Sequence, residues 1–513
     1  MANLADHLFD QERKRHGKVA LIFEGREFSF AEIAGRVRRL AGGLSSTGVR
    51  VGSRIGLMMS ACPDFIAFEQ AIFTLGAVVC PLNTFYRERE LAHAMASLEL
   101  EYLIIGREYL GNLPDLQAPE AAALRAVLVA GLEPQEETAI LLSADRLADS
   151  GVSIDRPVPL EPSAIGIMLS TSATTGKAKG VMLSVANIRA NYDLTPEWLG
   201  ITESSVTLCA LPLYNTFGLN QGINAIMVTG ATMVLMPRFD AGSCLHAIEK
   251  YRCTFVPAVP TMLQKLLDHP DAGNHDLSSV KRILTGGASV PAALLERIRS
   301  ALGPDVVVMT GYGLTEGTAL VSLEYAKLDS AGKILRPKSI GKVLPGMDMK
   351  ILDDRGLLAE TGQIGEICIR GLNLMLGYFK NPEETARVLV DGWLHTGDLG
   401  YTDPDGYTFL VDRKKDVIIR GGQNIYPADI EEVLYQHPAV SEVAVIGVAD
   451  DLLGEVPIAY VALRRVGGAT AEELIARCKK ELSHYKVPSA IRFLPELPKG
   501  PTGKILKRAL VSN

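Results

Sequence analysis

Five hydroxyl side chains, two glycines and two lysines fall within one twelve-residue stretch, Leu169-Ser170-Thr171-Ser172-Ala173-Thr174-Thr175-Gly176-Lys177-Ala178-Lys179-Gly180. Glycine lets a backbone approach a ligand closely. Hydroxyls and main-chain N–H groups donate hydrogen bonds, and ammonium groups supply charge. Such a segment suits the terminal phosphates of a nucleotide. It is not a Walker A loop, which needs Gly where Thr171 stands and Ser or Thr where Ala178 stands. A polar surface loop would share the same composition.

The flanking sequence alternates helical and strand-like stretches. Ser29 and Glu32 fit a capping box, and Ile33, Val37, Leu40 and Leu44 recur at helical spacing until Gly48. Strands are expected at 55–59, 78–82 and 102–105, with helices from Pro63 and over 88–98 between them. That rhythm implies a parallel sheet covered on both faces. It returns between Val206 and Val308, predicting a second sheet, with a helix over 292–302. From Ser339 to Asp412 short strands and turn residues predict a small β-rich unit. The charged run Arg413-Lys414-Lys415-Asp416 then precedes a last mixed segment, so 412–416 reads as a linker. The expected fold class is α/β: a large domain over 1–412 and a small, mobile α+β domain over 413–513.

At 513 residues the chain can bury several cores, and 47% hydrophobic with 22% charged residues is a globular composition. A net charge of −7 argues against a nucleic-acid partner, whose phosphates call for a basic face. Seven scattered cysteines show no metal-ligand spacing and read as reduced thiols of a cytoplasmic protein. The charged N-terminal stretch lacks a signal-peptide core, and no run of 18 apolar residues predicts a membrane span.

Further ordered segments follow the first: Pro212-Leu213-Tyr214-Asn215-Thr216-Phe217-Gly218, Gly311-Tyr312-Gly313-Leu314-Thr315-Glu316, and Gly392-Trp393-Leu394-His395-Thr396-Gly397-Asp398. Then come Asp412 to Asp416, Gly421-Gly422-Gln423-Asn424-Ile425-Tyr426-Pro427, and Pro501-Thr502-Gly503-Lys504. In this order they resemble the adenylate-forming superfamily of acyl- and aryl-CoA ligases, luciferases and peptide-synthetase adenylation domains, most closely the acyl-CoA ligases.

The resemblance implies an ATP-dependent carboxylic acid–CoA ligase working through an acyl-AMP, with ATP, Mg2+ and coenzyme A as cofactors. Thr171, Ser172, Thr174, Thr175, Gly176, Lys177 and Lys179 would cradle the phosphates. Thr315 would contact the α-phosphate and Glu316 would hold magnesium. Asp398 would accept from the ribose hydroxyls, with Arg413 reaching the nucleotide, and Tyr312, Gly313, Gly287 and Ala288 beside the adenine. Tyr214, Asn215, Gly218 and Gly286 would border the acid. Lys504 would bridge carboxylate and α-phosphate, Lys414 would be the hinge, and Gly421 and Gly422 would form the pantetheine tunnel.

Ala173, Ala178, Val185 and Asn215 depart from the family pattern, which has Gly, Pro, His and His there. The alternative acceptors are a carrier-protein thiol, an amine or a small inorganic nucleophile. The pocket segments are apolar or small, which favours an aromatic or short to medium aliphatic monoacid. A homodimer stays open.

Overall fold

The computed structural model describes residues 2–149, 151–171, 179–288, 290–465, 467–500 and 505–510. Two large sheets and one small one organise them. The first sheet runs, in spatial order, Gly377–Tyr378, Lys179–Ser184, Ile165–Thr171, Val78–Pro81, Arg54–Met58, Tyr102–Gly106, Ala126–Ala130 and Leu141–Ser143. From Ile165–Thr171 to Leu141–Ser143 its strands are parallel. Helices Phe30–Ser46, Pro63–Thr74 and Glu88–Leu98 provide cover, as their periodicity predicts. The capping box is present: Ser29 Oγ accepts from Glu32 N (3.2 Å) and Glu32 Oε2 from Ser29 N (2.7 Å).

The second sheet has a parallel centre of Thr232–Leu235, Val206–Cys209, Phe255–Ala258, Arg282–Gly286 and Val307–Gly313. Two features exceed the sequence expectation. Val19–Phe23 crosses to this sheet and pairs in parallel with Thr232–Leu235, because a short apolar strand does not encode which sheet takes it. The β-rich segment is likewise joined by hydrogen bonds to a larger sheet. Ser339–Val343 pairs with Leu320–Tyr325, so the strands out to Met347–Leu352 continue the second sheet.

A five-stranded third sheet begins at Ile418–Arg420 and carries helices Pro427–Tyr435 and Ala471–Glu481 over its own core. All seven cysteines are free, and no helix among the described residues is long and apolar enough to cross a membrane.

Helix Pro63–Thr74 is buried throughout from Phe65 to Thr74, and Glu69 is buried with it. Its nearby hydrogen-bond donor is Gln70 Nε2 (3.1 Å to Oε2), and burial pushes the Glu69 carboxyl up to about 8. Above pH about 4.3 the unfolded chain releases this proton while the folded chain keeps it, so stability falls as pH rises toward 8. Glu69→Gln should remove that slope. In urea melts, the loss of unfolding free energy between pH 5 and pH 8 should shrink by about 3 to 5 kcal/mol relative to the parent.

Candidate active site

Parallel strands bring the expected residues together at their carboxyl ends, where ligands of open α/β sheets bind. Gly286 ends Arg282–Gly286 and pairs with Gly311 on the adjacent strand. Gly287 and Ala288 follow the first strand, and Tyr312 and Gly313 end the second. Thr315 and Glu316 form the short 3-10 turn Thr315–Gly317 that comes next. Gly313 has to be glycine there, because a Cβ would lie 1.8 Å from Ala319 O.

Asp398 is the most constrained of these groups. It lies on Trp393–Thr402, directly opposite Arg413 of Thr408–Arg413. Its carboxylate is buried; Oδ1 is 3.1 Å from Arg413 Nε, and Oδ2 accepts from Tyr312 Oη at 2.7 Å. Burial, then the adjacent Asp398 charge, drives the Tyr312 hydroxyl far above its ordinary range, so it remains a donor at any working pH. Each carboxylate oxygen has two acceptor positions. One is used by protein on each, which leaves capacity for a pair of sugar hydroxyls. Thr396 Oγ1 accepts from Asp398 N (3.0 Å) and donates to Ile367 O (2.7 Å), fixing the preceding turn.

Glu316 is half-buried, and its Oε1 accepts from Tyr378 Oη at 2.9 Å. Its turn is braced from beneath, where Thr318, at φ 69, donates to Asn373 O and Asn373 Nδ2 donates to Gly317 O (2.8 Å). A β-branched residue at positive φ is strained and persists only when its surroundings hold it. Magnesium usually takes one or two protein carboxylates plus substrate phosphates. Glu316, with one oxygen left by Tyr378, fits that role; no group of three or more His, Cys, Asp or Glu side chains among the described residues could hold a metal by itself.

Ile165–Thr171 and Lys179–Ser184 form an antiparallel pair, with Thr171 opposite Lys179. Ser172, Ala173, Thr174, Thr175, Gly176, Lys177 and Ala178 lie outside the described residues, as do Thr502, Gly503 and Lys504. Lys179 is ion-paired with Glu384 and lies 5.0 Å over the Tyr378 ring. Val181 pairs with Tyr378, so one tyrosine joins the strand Lys179–Ser184 to Glu316.

Tyr214, Asn215 and Gly218 follow Val206–Cys209, but Asn215 does structural work: its Oδ1 accepts from Gly218 N (3.0 Å) and caps the short helix Thr216–Gly218. Burial raises the Tyr214 hydroxyl far above its usual value. Lys414 Nζ is 3.3 Å from Glu366 Oε2, and Gly421 and Gly422 turn the hairpin between Ile418–Arg420 and Gln423–Ile425. Tyr378, Asn373, Glu384 and Glu366 escaped the sequence reading, and Thr396 entered it only as part of the 392–398 motif, without a role of its own. None stands in a motif that spells out its chemistry, and a tyrosine after a glycine in a short strand gives no signal of a carboxylate partner.

The chain matches the AMP-binding enzyme family over residues 8–379 and the AMP-binding enzyme C-terminal domain over residues 429–504. It is 36% identical to feruloyl-CoA synthase of Amycolatopsis sp over 493 residues, covering 96% of this chain and 94% of that protein. It is 33% identical to long-chain-fatty-acid–CoA ligase of Bacillus subtilis (strain 168), covering 98% and 93%. An anthranilate CoA ligase solved with anthranoyl-AMP superposes with a TM-score of 0.90 at 27% identity, covering 100% of this chain and 97% of that one. This chain belongs to the AMP-binding enzyme family. Within it, the protein is an acid–thiol ligase of the AMP-forming type.

Tyr312→Phe deletes the donor to Asp398 while keeping the ring. Nucleotide affinity, read by calorimetry with AMP, should fall by about 5- to 30-fold, equivalent to a lost hydrogen bond of about 1 to 2 kcal/mol to a charged acceptor. Melting temperature should fall modestly, because the buried carboxylate loses one compensating donor. Unchanged affinity would show that Asp398 does not carry the nucleotide.

Proposed function

We propose that the chain condenses a carboxylic acid with coenzyme A at the expense of ATP, in two half-reactions run from one cleft. The observation that carries the assignment is the buried Asp398 carboxylate, held by Tyr312 and Arg413 at the carboxyl ends of the parallel strands. In the first half-reaction a carboxylate oxygen of the acid attacks the α-phosphorus of ATP, and the bond to pyrophosphate breaks. In the second the CoA thiolate attacks the acyl carbon, and AMP leaves with the bonding electron pair.

A carboxylate and a triphosphate repel one another, so this chain must neutralise both before they react. Asp398 anchors the ribose, which fixes where the α-phosphate sits. Thr315 offers a hydroxyl beside it, and the phosphate hairpin supplies Lys177 and Lys179. Glu316 would be the protein ligand of magnesium, which when bound would supply charge neutralisation for the leaving pyrophosphate. Lys504 bridges the attacking carboxylate and the α-phosphate. Lys414 is the hinge about which the segment after Asp412 turns, replacing Lys504 by the Gly421-Gly422 turn for thioester formation. That division of labour makes 1–412 the platform and 413–513 the moving part of a cytoplasmic enzyme.

The acid is an aromatic or a short to medium aliphatic monoacid. The segments that would border it, around Tyr214, at 259–262 and at 286–288, are apolar or small and bring no cation for a second carboxylate. The aromatic option is supported by the similarity to feruloyl-CoA synthase, while the similarity to a long-chain-fatty-acid–CoA ligase points to a longer aliphatic acid. Pyrophosphate release across an acid panel, with and without CoA, tests the reading. Turnover that needs a carrier protein or an amine in place of CoA would overturn the choice of acceptor.

Lys504→Ala separates the half-reactions. Acid-dependent pyrophosphate release should fall by about 10²- to 10³-fold, the scale for losing a preorganised charge donor. Conversion of supplied acyl-AMP and CoA to thioester should remain. Equal losses in both, in a folded variant, would remove the lysine from the chemistry.

A further inference from the structure

The strand Gly365–Gly371 sends one carboxylate to two places at once. Glu366 Oε1 accepts from Gly397 N at 3.1 Å, and Glu366 Oε2 accepts from Lys414 Nζ at 3.3 Å. Gly397 stands at φ 72, in the left-handed region, and its N–H begins the turn that presents Asp398. Lys414 opens the short 3-10 turn after Arg413. His395 Nδ1 lies 3.4 Å from the same Oε2 and 3.5 Å from Cys368 Sγ, so it flanks the pair and walls off one side of it. Glu366 is mostly buried, with 17% of its side chain exposed, whereas Lys414 is 58% exposed. The carboxylate is therefore fixed and the lysine is the partner able to leave.

We propose that Glu366 is a positioning residue with two separable tasks: it shapes the Gly397-Asp398 turn, and it latches Lys414 in the domain arrangement seen here. The inference rests on Lys414 being the hinge. Turning the backbone at Lys414 carries its side chain away from Glu366, while the Gly397 contact, within one sheet, stays. The latch thus stabilises one of two arrangements, and the turn contact serves both. A half-exposed ion pair of this kind is worth a small factor, roughly two- to fivefold in the ratio of the arrangements, which suits a contact broken in every cycle.

Lys265 and Glu496 meet across the two parts of the chain, Nζ to Oε1 3.5 Å, on exposed side chains. Cysteines placed at both positions and joined by a short bismaleimide report the population of this arrangement. In that background Glu366→Gln, which keeps an oxygen for Gly397 N but loses the charge, should lower the cross-linking yield by about two- to fivefold. It should leave AMP affinity near the parent's. Lys414→Met should lower the yield equally, and the double variant no further. Glu366→Ala, which loses both tasks, should weaken AMP binding as well.

An unchanged yield in Glu366→Gln, or additive effects in the double variant, would overturn the latch. Equal AMP affinity in the Ala and Gln variants would overturn the turn-shaping task; should the Ala variant not fold, Glu366→Ser replaces it in the same comparison. The hinge itself is tested apart from Glu366. The cross-linked parent should lose one half-reaction and keep the other, and retention of both would overturn the hinge whatever Glu366 does.

Discussion

The site is organised by the burial of one negative charge. Asp398 is almost fully removed from water, and a carboxylate in that position has to be compensated by donors and by a cation. Tyr312 comes from the end of a parallel strand and Arg413 from the neighbouring antiparallel strand. Bringing all three together requires the β-rich segment to be hydrogen-bonded onto the second sheet, which the pairing of Leu320–Tyr325 with Ser339–Val343 achieves. Arg413 is also the residue next to Lys414, so the compensating cation is tied to the start of the third sheet's segment. The buried Asp398 carboxylate and the placement of that segment share one electrostatic node.

A second node joins the two large sheets. Tyr378 pairs through its backbone with Lys179–Ser184 of the first sheet and donates through its hydroxyl to Glu316, in the turn after Val307–Gly313 of the second. Lys179 approaches the same ring and pairs with Glu384 of the helix Pro382–Val388. The consequence is positional: the strand Lys179–Ser184 and the Glu316 carboxylate are set by one side chain. The strained Thr318 and its Asn373 brace fit the same requirement, since a turn held at positive φ keeps Glu316 in place against Tyr378.

Asn215 shows how a departure from a family pattern can be local. Its amide oxygen caps the Thr216–Gly218 turn, a role open to any short acceptor side chain. The chain then continues into the π-helical stretch Leu219–Asn224, whose Asn220 Nδ2 donates to Thr195 Oγ1 (3.1 Å) and whose Asn224 Nδ2 donates to Tyr192 O (2.6 Å). Those amides, buried at Asn220 and half-buried at Asn224, fix the path of the backbone that follows the Tyr214 segment. The identity at 215 therefore sets the shape of the turn there.

Much was legible in the sequence because it is local. Helix periods, the Ser29–Glu32 capping box, the strand–turn–helix rhythm and the ordered motifs depend on residues a few positions apart, and the elements at 30–46, 63–74, 88–98 and 292–302 follow from them. The motifs also pointed to Asp398, Tyr312, Arg413 and Glu316 one by one. What only the tertiary structure decided is which of these share a hydrogen bond. Tyr312 and Asp398 are 86 positions apart, Tyr378 and Glu316 62, and Glu366 and Lys414 48. Spacing in sequence carries no information about such pairs. They are chosen by strand order and register, and a sheet that takes in Val19–Phe23 and the β-rich segment together is selected by burying apolar area, to which every strand contributes and which no short motif specifies.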